Sequence, residues 1–288
     1  MADVVLAAVP TPFTADGELD TATARRVFRF AAETVDGLFV AGTTGEFPAL
    51  DDTERLALVE TGLSVAGTDR VIAHIGAPDA HRAARLAAAA VALGATRIAA
   101  ITPFYLAPSP AEVMDYYLRI REAAPAAGLY SYIFPERTGV SLSTTQFAEL
   151  ARATEMAGAK FSGSAARNVA ECAAACPDLK IFSGDDSDLA ATLRSGGAGI
   201  ISARAAAFPE VFSALSAALA AGDHDAAAER QACVAAIAAT GASIGRIKAA
   251  LRLRGFGPMA ARMPVGDPDE ETAARIAGLV ASLAPAAV

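Results

Sequence analysis

The stretch EMAGAKFSG, residues 155–163, sets one lysine among small and apolar residues, in a chain of 288 residues whose 24 basic residues include only three lysines. An amine inside an apolar run has two readings. Its stem can lie along apolar surface while the amine reaches water, or pairs with Asp185 or Asp186. Alternatively, burial disfavours the charged form and lowers the pKa, leaving a neutral nucleophile able to condense with a ketone to an imine. Imine chemistry needs further groups. Tyr132, in GLYSYIFP, offers a phenol that could carry protons to and from the carbinolamine and the enamine carbon, although a lone tyrosine in such a run also reads as core. GTTGE, residues 42–46, offers the hydroxyls of Thr43 and Thr44 and backbone N–H groups beside Gly45, an arrangement able to hold a carboxylate and equally able to make a plain turn.

The elements that carry these groups alternate along the chain. Eight short runs rich in Val, Ile and Phe are VVLAAVPTPF, GLFVAGTTG, RVIAHIG, TRIAAITPFY, GLYSYIFP, MAGAKFSG, LKIFSGDD and AGIISA. Each is followed by an Ala-rich segment of helical period with a plausible cap, such as Asp51 or Asp52 ahead of ERLALVE. Near-continuous apolar strands separated by helices predict a parallel sheet covered on both faces. Eight such units fit an α/β fold of the closed (β/α)8 TIM-barrel type better than an open sheet, and no G-x-G-x-x-G follows the first strand. The expected organisation is a barrel core over residues 1–208, with the last barrel helix and a C-terminal helical extension over 209–288. In a barrel, chemistry sits at the C-terminal ends of the strands. The unusual residues gather there: GTTGE, TPFY ending in Tyr105, YIFPERTG, Lys160, SGDD and ISAR ending in Arg204.

Composition narrows the partners. The net charge of −8, with acids and bases interspersed and no basic stripe, argues against nucleic acid. The apolar fraction of 53% is inflated by alanine, and no uninterrupted apolar run reaches the roughly 18 to 20 residues of a membrane span. The N-terminal segment lacks the basic region of a signal peptide, so a cytoplasmic protein without a membrane partner is expected. Cys172, Cys176 and Cys233 read as core thiols, and with His74, His81 and His224 scattered along the chain, no metal and no cofactor is expected.

Taken together, GTTGE, TPFY with its following proline-containing loop, Tyr-x-x-Pro-x-Arg-Thr-Gly, Gly-x-Lys, SGDD and GGAGIIS resemble the dihydrodipicolinate synthase and N-acetylneuraminate lyase family. The resemblance covers essentially the whole chain in the same order. It implies that Lys160 forms the imine with pyruvate or another 2-keto acid, that Tyr132 is the acid/base, and that Thr44, with Gly45, grips the substrate carboxylate. It also implies that Thr43 links Tyr132 to Tyr105 reaching in from a neighbouring subunit, hence a homodimer or homotetramer. Arg137 matches the arginine that in the synthases meets the carboxylate of the aldehyde substrate, and Ile200 and Ile201 would line the pyruvate pocket.

There are departures. Ile133 and Phe134 stand where the synthases usually carry Asn and Val, and Ala203, Arg204, Ala205 and Ala206 stand where they carry Val-Thr-Ala-Asn. Arg204 is thus an extra cation at or near the mouth, or a surface salt bridge. GEFP, residues 45–48, looks more like aldolases and dehydratases of hydroxylated or deoxy 2-keto acids, whereas Arg137 points back to the synthases. The reading is a Schiff-base-forming lyase acting on pyruvate and a small 2-keto acid, leaning to a 2-keto-3-deoxy or 4-hydroxy-2-keto acid aldolase. Its alternatives are a 4-hydroxy-tetrahydrodipicolinate synthase condensing pyruvate with aspartate semialdehyde, a sugar-acid dehydratase, and a non-catalytic 2-keto-acid sensor. A pure sensor would not need Lys160, Tyr132, Thr43 and Thr44 together.

Overall fold

A computed structural model describes residues 3–283. All eight apolar runs contain a strand: β1 (Val5–Ala8), β2 (Gly37–Val40), β3 (Val71–His74), β4 (Arg97–Ile101), β5 (Gly128–Ile133), β6 (Gly158–Phe161), β7 (Lys180–Ser183) and β8 (Gly199–Ser202). They close into a barrel in chain order, with every described pairing parallel. This is the architecture that continuous apolar strands predict, because both faces of each strand are covered. β1, β2, β3, β6 and β8 are buried along their whole length.

The chain divides into two compact units, residues 1–4 with 66–201, and residues 5–65 with 202–288. In the first unit the strands alternate with α3 (Ala80–Ala92), α4 (Pro110–Ala123), the short α5 (Pro135–Thr138), α6 (Thr144–Ala153), α7 (Val169–Ala175) and α8 (Leu189–Arg194). The starts of these helices are written in the sequence. Asp79 accepts from the Arg82 amide, and Ser109 with Glu112 and Ser143 with Gln146 form reciprocal capping boxes. Tyr132 on β5 pairs in register with Lys160 on β6, and Lys160 with Phe182 on β7. Parallel pairing of this kind puts the Tyr132 and Lys160 side chains side by side on one face of the sheet.

The second unit holds β1 and β2, α1 (Thr21–Ala32), α2 (Asp52–Ala66) and four helices after β8. These are α9 (Pro209–Ala221), α10 (His224–Ala238), α11 (Ile244–Leu253) and α12 (Glu270–Leu283). At the start of α2 it is Asp51 that accepts from the Glu54 amide at 2.8 Å, while Glu54 accepts from the Asp51 amide in return. Beyond α11 the chain returns to the loop after β1, where the Ala260 amide donates to the Phe13 carbonyl at 3.1 Å. Among the described residues no helix is long and apolar enough to cross a membrane.

Candidate active site

Lys160 is 6% exposed, and its Nζ lies 4.6 Å from the centre of the Tyr132 ring. Burial drives the amine from 10.5 down to about 7, against the opposing pull of the Asp186 carboxylate, itself buried. An amine with that pKa is about half neutral at pH 7, so the nucleophilic form is abundant without a dedicated base. Of the two neighbouring aspartates, Asp185 is engaged in its own turn, accepting from the Ser187 amide and hydroxyl at 3.1 and 2.6 Å.

Tyr132 is 2% exposed and held by aromatic neighbours. The ring of His74, at the end of β3, meets it edge-on at 6.1 Å, and the Phe134 ring lies tilted at the same distance. The His74 ring is fixed in turn, since its Nε2 accepts from the Ile101 amide at 3.2 Å. Gly76 makes room for that bond: a Cβ there would sit 2.7 Å from the Ile101 nitrogen and 2.8 Å from His74 Nε2. His74 therefore belongs to the setting of the phenol. Sequence reasoning set it aside as an isolated histidine, although a histidine inside the apolar run RVIAHIG was the available signal.

After β5 the chain turns into α5. Thr138 accepts from the Thr102 hydroxyl at 3.0 Å and donates to the Phe134 carbonyl, which pins this turn to the end of β4. Glu136 accepts from the Ser164 amide at 2.8 Å, tying the same turn to the segment after Lys160. The exposed Arg137 guanidinium lies 5.6 Å over the Phe134 ring. Phe134 thus touches both the phenol of Tyr132 and the cation expected to meet the second substrate. Ile200 and Ile201 are fully buried on β8, on opposite faces of the strand. Tyr105, after β4, is 94% exposed in a left-handed conformation (φ 80°), beside Leu106 at 76% exposure.

In the second unit, the turn after β2 carries the half-buried Thr43 and Thr44. Gly42 is required there, because a Cβ would come within 2.5 Å of the Phe39 ring. The turn is closed by the Glu46 amide donating to the Thr43 carbonyl at 3.0 Å, and the Thr11 hydroxyl donates to the Gly45 carbonyl at 2.7 Å. Arg204 follows β8 in a short 3₁₀ turn, and its Nη2 lies 3.5 Å from the carbonyl of Ala238 in α10.

A closed barrel whose sixth strand carries a buried lysine with a pKa near neutrality, next to a buried tyrosine, has the equipment of a class I lyase. The comparisons agree. The sequence pattern of the Dihydrodipicolinate synthetase family matches residues 1–282, and the chain belongs to that family of class I lyases and aldolases. It is 34% identical to an uncharacterized DapA-like lyase of Halobacterium salinarum, over 97% of this chain and 93% of the other. It is 31% identical to a 4-hydroxy-tetrahydrodipicolinate synthase of Synechococcus sp., over 97% and 94%. Among solved structures it is similar to YagE of E. coli K12, a dihydrodipicolinic acid synthase family protein determined in complex with pyruvate. That likeness has a TM-score of 0.88 at 27% identity, over 97% of this chain and 98% of the other.

Proposed function

We propose that the protein is a Schiff-base aldolase that cleaves, or makes, a 2-keto-3-deoxy or 4-hydroxy-2-keto acid with pyruvate as the keto partner. The observation that carries this reading is the Lys160 amine, buried against Tyr132 with its pKa near 7. In the proposed reaction Lys160 Nζ adds to the C2 carbonyl, and Tyr132 protonates the carbinolamine oxygen as water leaves. The Tyr132 phenoxide left by that step takes the proton of the C4 hydroxyl as the C3–C4 bond breaks into the iminium, giving an enamine and an aldehyde and restoring the phenol that then protonates C3. Protonation at C3 and hydrolysis of the imine then release pyruvate and return Lys160. The family resemblance assigns the carboxylate grip to Thr44 and Gly45 and the proton relay to Thr43.

The same resemblance has Tyr105 serving a neighbouring copy, and the exposure of Tyr105 and Leu106 supports a homo-oligomer. Lys160→Ala and Tyr105→Phe chains refolded together should then recover activity above the sum of the two variants. No recovery, in a sample shown to contain mixed oligomers, removes Tyr105 from the site. A cytoplasmic location is part of the proposal.

The second reading is the synthase, favoured by the Synechococcus relative and by Arg137. Against it, Phe134 carries the Arg137 guanidinium on its ring, where the synthases usually have a valine. A panel of 2-keto acids and aldehydes, assayed for pyruvate release or consumption, decides between them. Consumption of pyruvate with aspartate semialdehyde, and no release from any hydroxylated 2-keto acid, would overturn the aldolase reading.

A further inference from the structure

Glu46 closes the GTTGE turn in an unusual way. Its backbone is left-handed, φ 56° and ψ 39°, a conformation that costs a side-chain-bearing residue and persists only where surroundings enforce it. Its carboxylate is fully buried and fully engaged. Oε1 accepts from the buried Lys248 amine of α11, and Oε2 accepts from the amides of Arg262 and Met263 at 2.9 and 2.7 Å. Lys248 also donates to the Ala260 carbonyl at 2.6 Å and lies 4.8 Å over the Phe13 ring, whose other cation is Arg262 at 4.4 Å. Arg262 grips both oxygens of Glu54 at 2.7 Å and donates to the carbonyls of Gly17 and Ala49. Residues 202 to 217 positions further along the sequence are thereby clamped to the GTTGE turn.

A buried ion pair is a poor device for stability, since desolvation offsets most of its attraction and apolar replacements often serve as well. It does fix geometry, because Lys248 and the two amides meet only one placement of the Glu46 carboxylate. Resting on the role proposed above for Thr43 and Thr44, we propose that Glu46 is a positioning residue. Anchored by Lys248 and by the amides of Arg262 and Met263, it sets the turn in which these two threonines receive the 2-keto acid's carboxylate. The C-terminal segment is by this route a part of substrate binding.

The length of the side chain, more than its charge, is what the geometry requires. Glu46→Asp keeps the charge but is one methylene too short to reach Lys248 and both amides. Glu46→Gln with Lys248→Met discards the charges but keeps an oxygen for the two amides. The readout is the pyruvate concentration that half-saturates borohydride labelling of Lys160, with a thermal melt on each sample. Glu46→Asp should raise it by about 10²-fold, the size of a roughly 1 Å misplacement, and the double variant, which loses one anchor but keeps the other two, by clearly less. Met263→Pro, which removes one amide from a half-buried exterior segment, should raise it by less and remain folded.

An unmoved half-saturation in folded Glu46→Asp or Met263→Pro, or a double variant as impaired as Glu46→Asp, overturns the positioning role and leaves a purely structural ion pair. Absence of label in the unaltered enzyme overturns the aldolase reading and this inference with it.

Discussion

Lys160 and Lys248 are both buried, 6% and 1% exposed, and burial pushes both amines below the ordinary lysine range. They differ in what stands beside them. Lys248 donates to the Glu46 carboxylate and the Ala260 carbonyl, and the Glu46 charge pulls its proton affinity back up. Its N–H bonds point at these acceptors. The Lys160 amine lies 4.6 Å from the centre of the Tyr132 ring, and the Asp186 charge offsets only part of its desolvation, so its pKa falls to about 7. One residue type at similar depth thus has two settings: an amine paired with a buried carboxylate in one unit, and in the other the amine proposed above as the nucleophile.

The largest expected effect tests that assignment directly. Lys160→Met should lower kcat by on the order of 10⁶-fold, as when a covalent nucleophile is removed. Peptide mass mapping after reduction with borohydride and pyruvate should find the adduct on Lys160 and none on Lys180 or Lys248. An adduct on Lys248 would reverse the comparison. Next in size is Tyr132→Phe, expected to slow turnover by about 10²- to 10⁴-fold while pyruvate still labels Lys160. Near-normal kcat would return Tyr132 to the core and leave Lys160 without its acid.

The barrel and Lys160 were legible in the sequence for the same physical reason. A strand buried on both faces is a short apolar run, and a lone charge inside such a run stands out against it. Eight runs in order, with Asp and Ser caps between them, leave few other ways to fold. The Glu46–Lys248 pair was not legible. Lys248 lies in GRIKAALRL, which has the look of an amphipathic helix with lysine on its wet face, and its partner is 202 residues away. Glu46 was visible as part of GTTGE, yet nothing in those five letters tells that its backbone is left-handed. His74 and Phe134 were visible as a histidine in an apolar run and a departure from the synthases, but not as neighbours of Tyr132, because ring contacts are not reported by spacing along the chain.

A stability comparison separates the two lysines again. Lys248→Met strands the buried Glu46 carboxylate without its cation and should cost about 3–5 kcal/mol, the range for breaking one side of a buried pair. Denaturant titration of the variant measures it. In the fraction that remains folded, pyruvate should still label Lys160, but at a raised half-saturating concentration, because Glu46 has lost one of its anchors. A variant as stable as the parent would show that Glu46 is held by the two amides alone.

The smallest effect is the pH dependence of stability, and its sign follows from the Lys160 pKa. An unfolded lysine stays protonated to about 10.5, whereas the folded one gives up its proton near 7. Between those values the unfolded state binds more protons, so stability rises with pH, by up to about 1.4 kcal/mol per unit for one group. The penalty is fully present below pH 7, is of order 5 kcal/mol at most, and fades as pH climbs toward 10.5. Lys160→Met has no such group. Its stability relative to the parent should be higher at pH 6 than at pH 9, with the difference shrinking by roughly 2–3 kcal/mol between them. The Asp186 carboxylate left behind offsets part of the gain at both pH values, which is why the change with pH, rather than the gain itself, is the quantity to measure. Stability curves for parent and variant that run parallel from pH 6 to 9 would mean that folding does not shift the amine, and Lys160 would then be no more a nucleophile than Lys248.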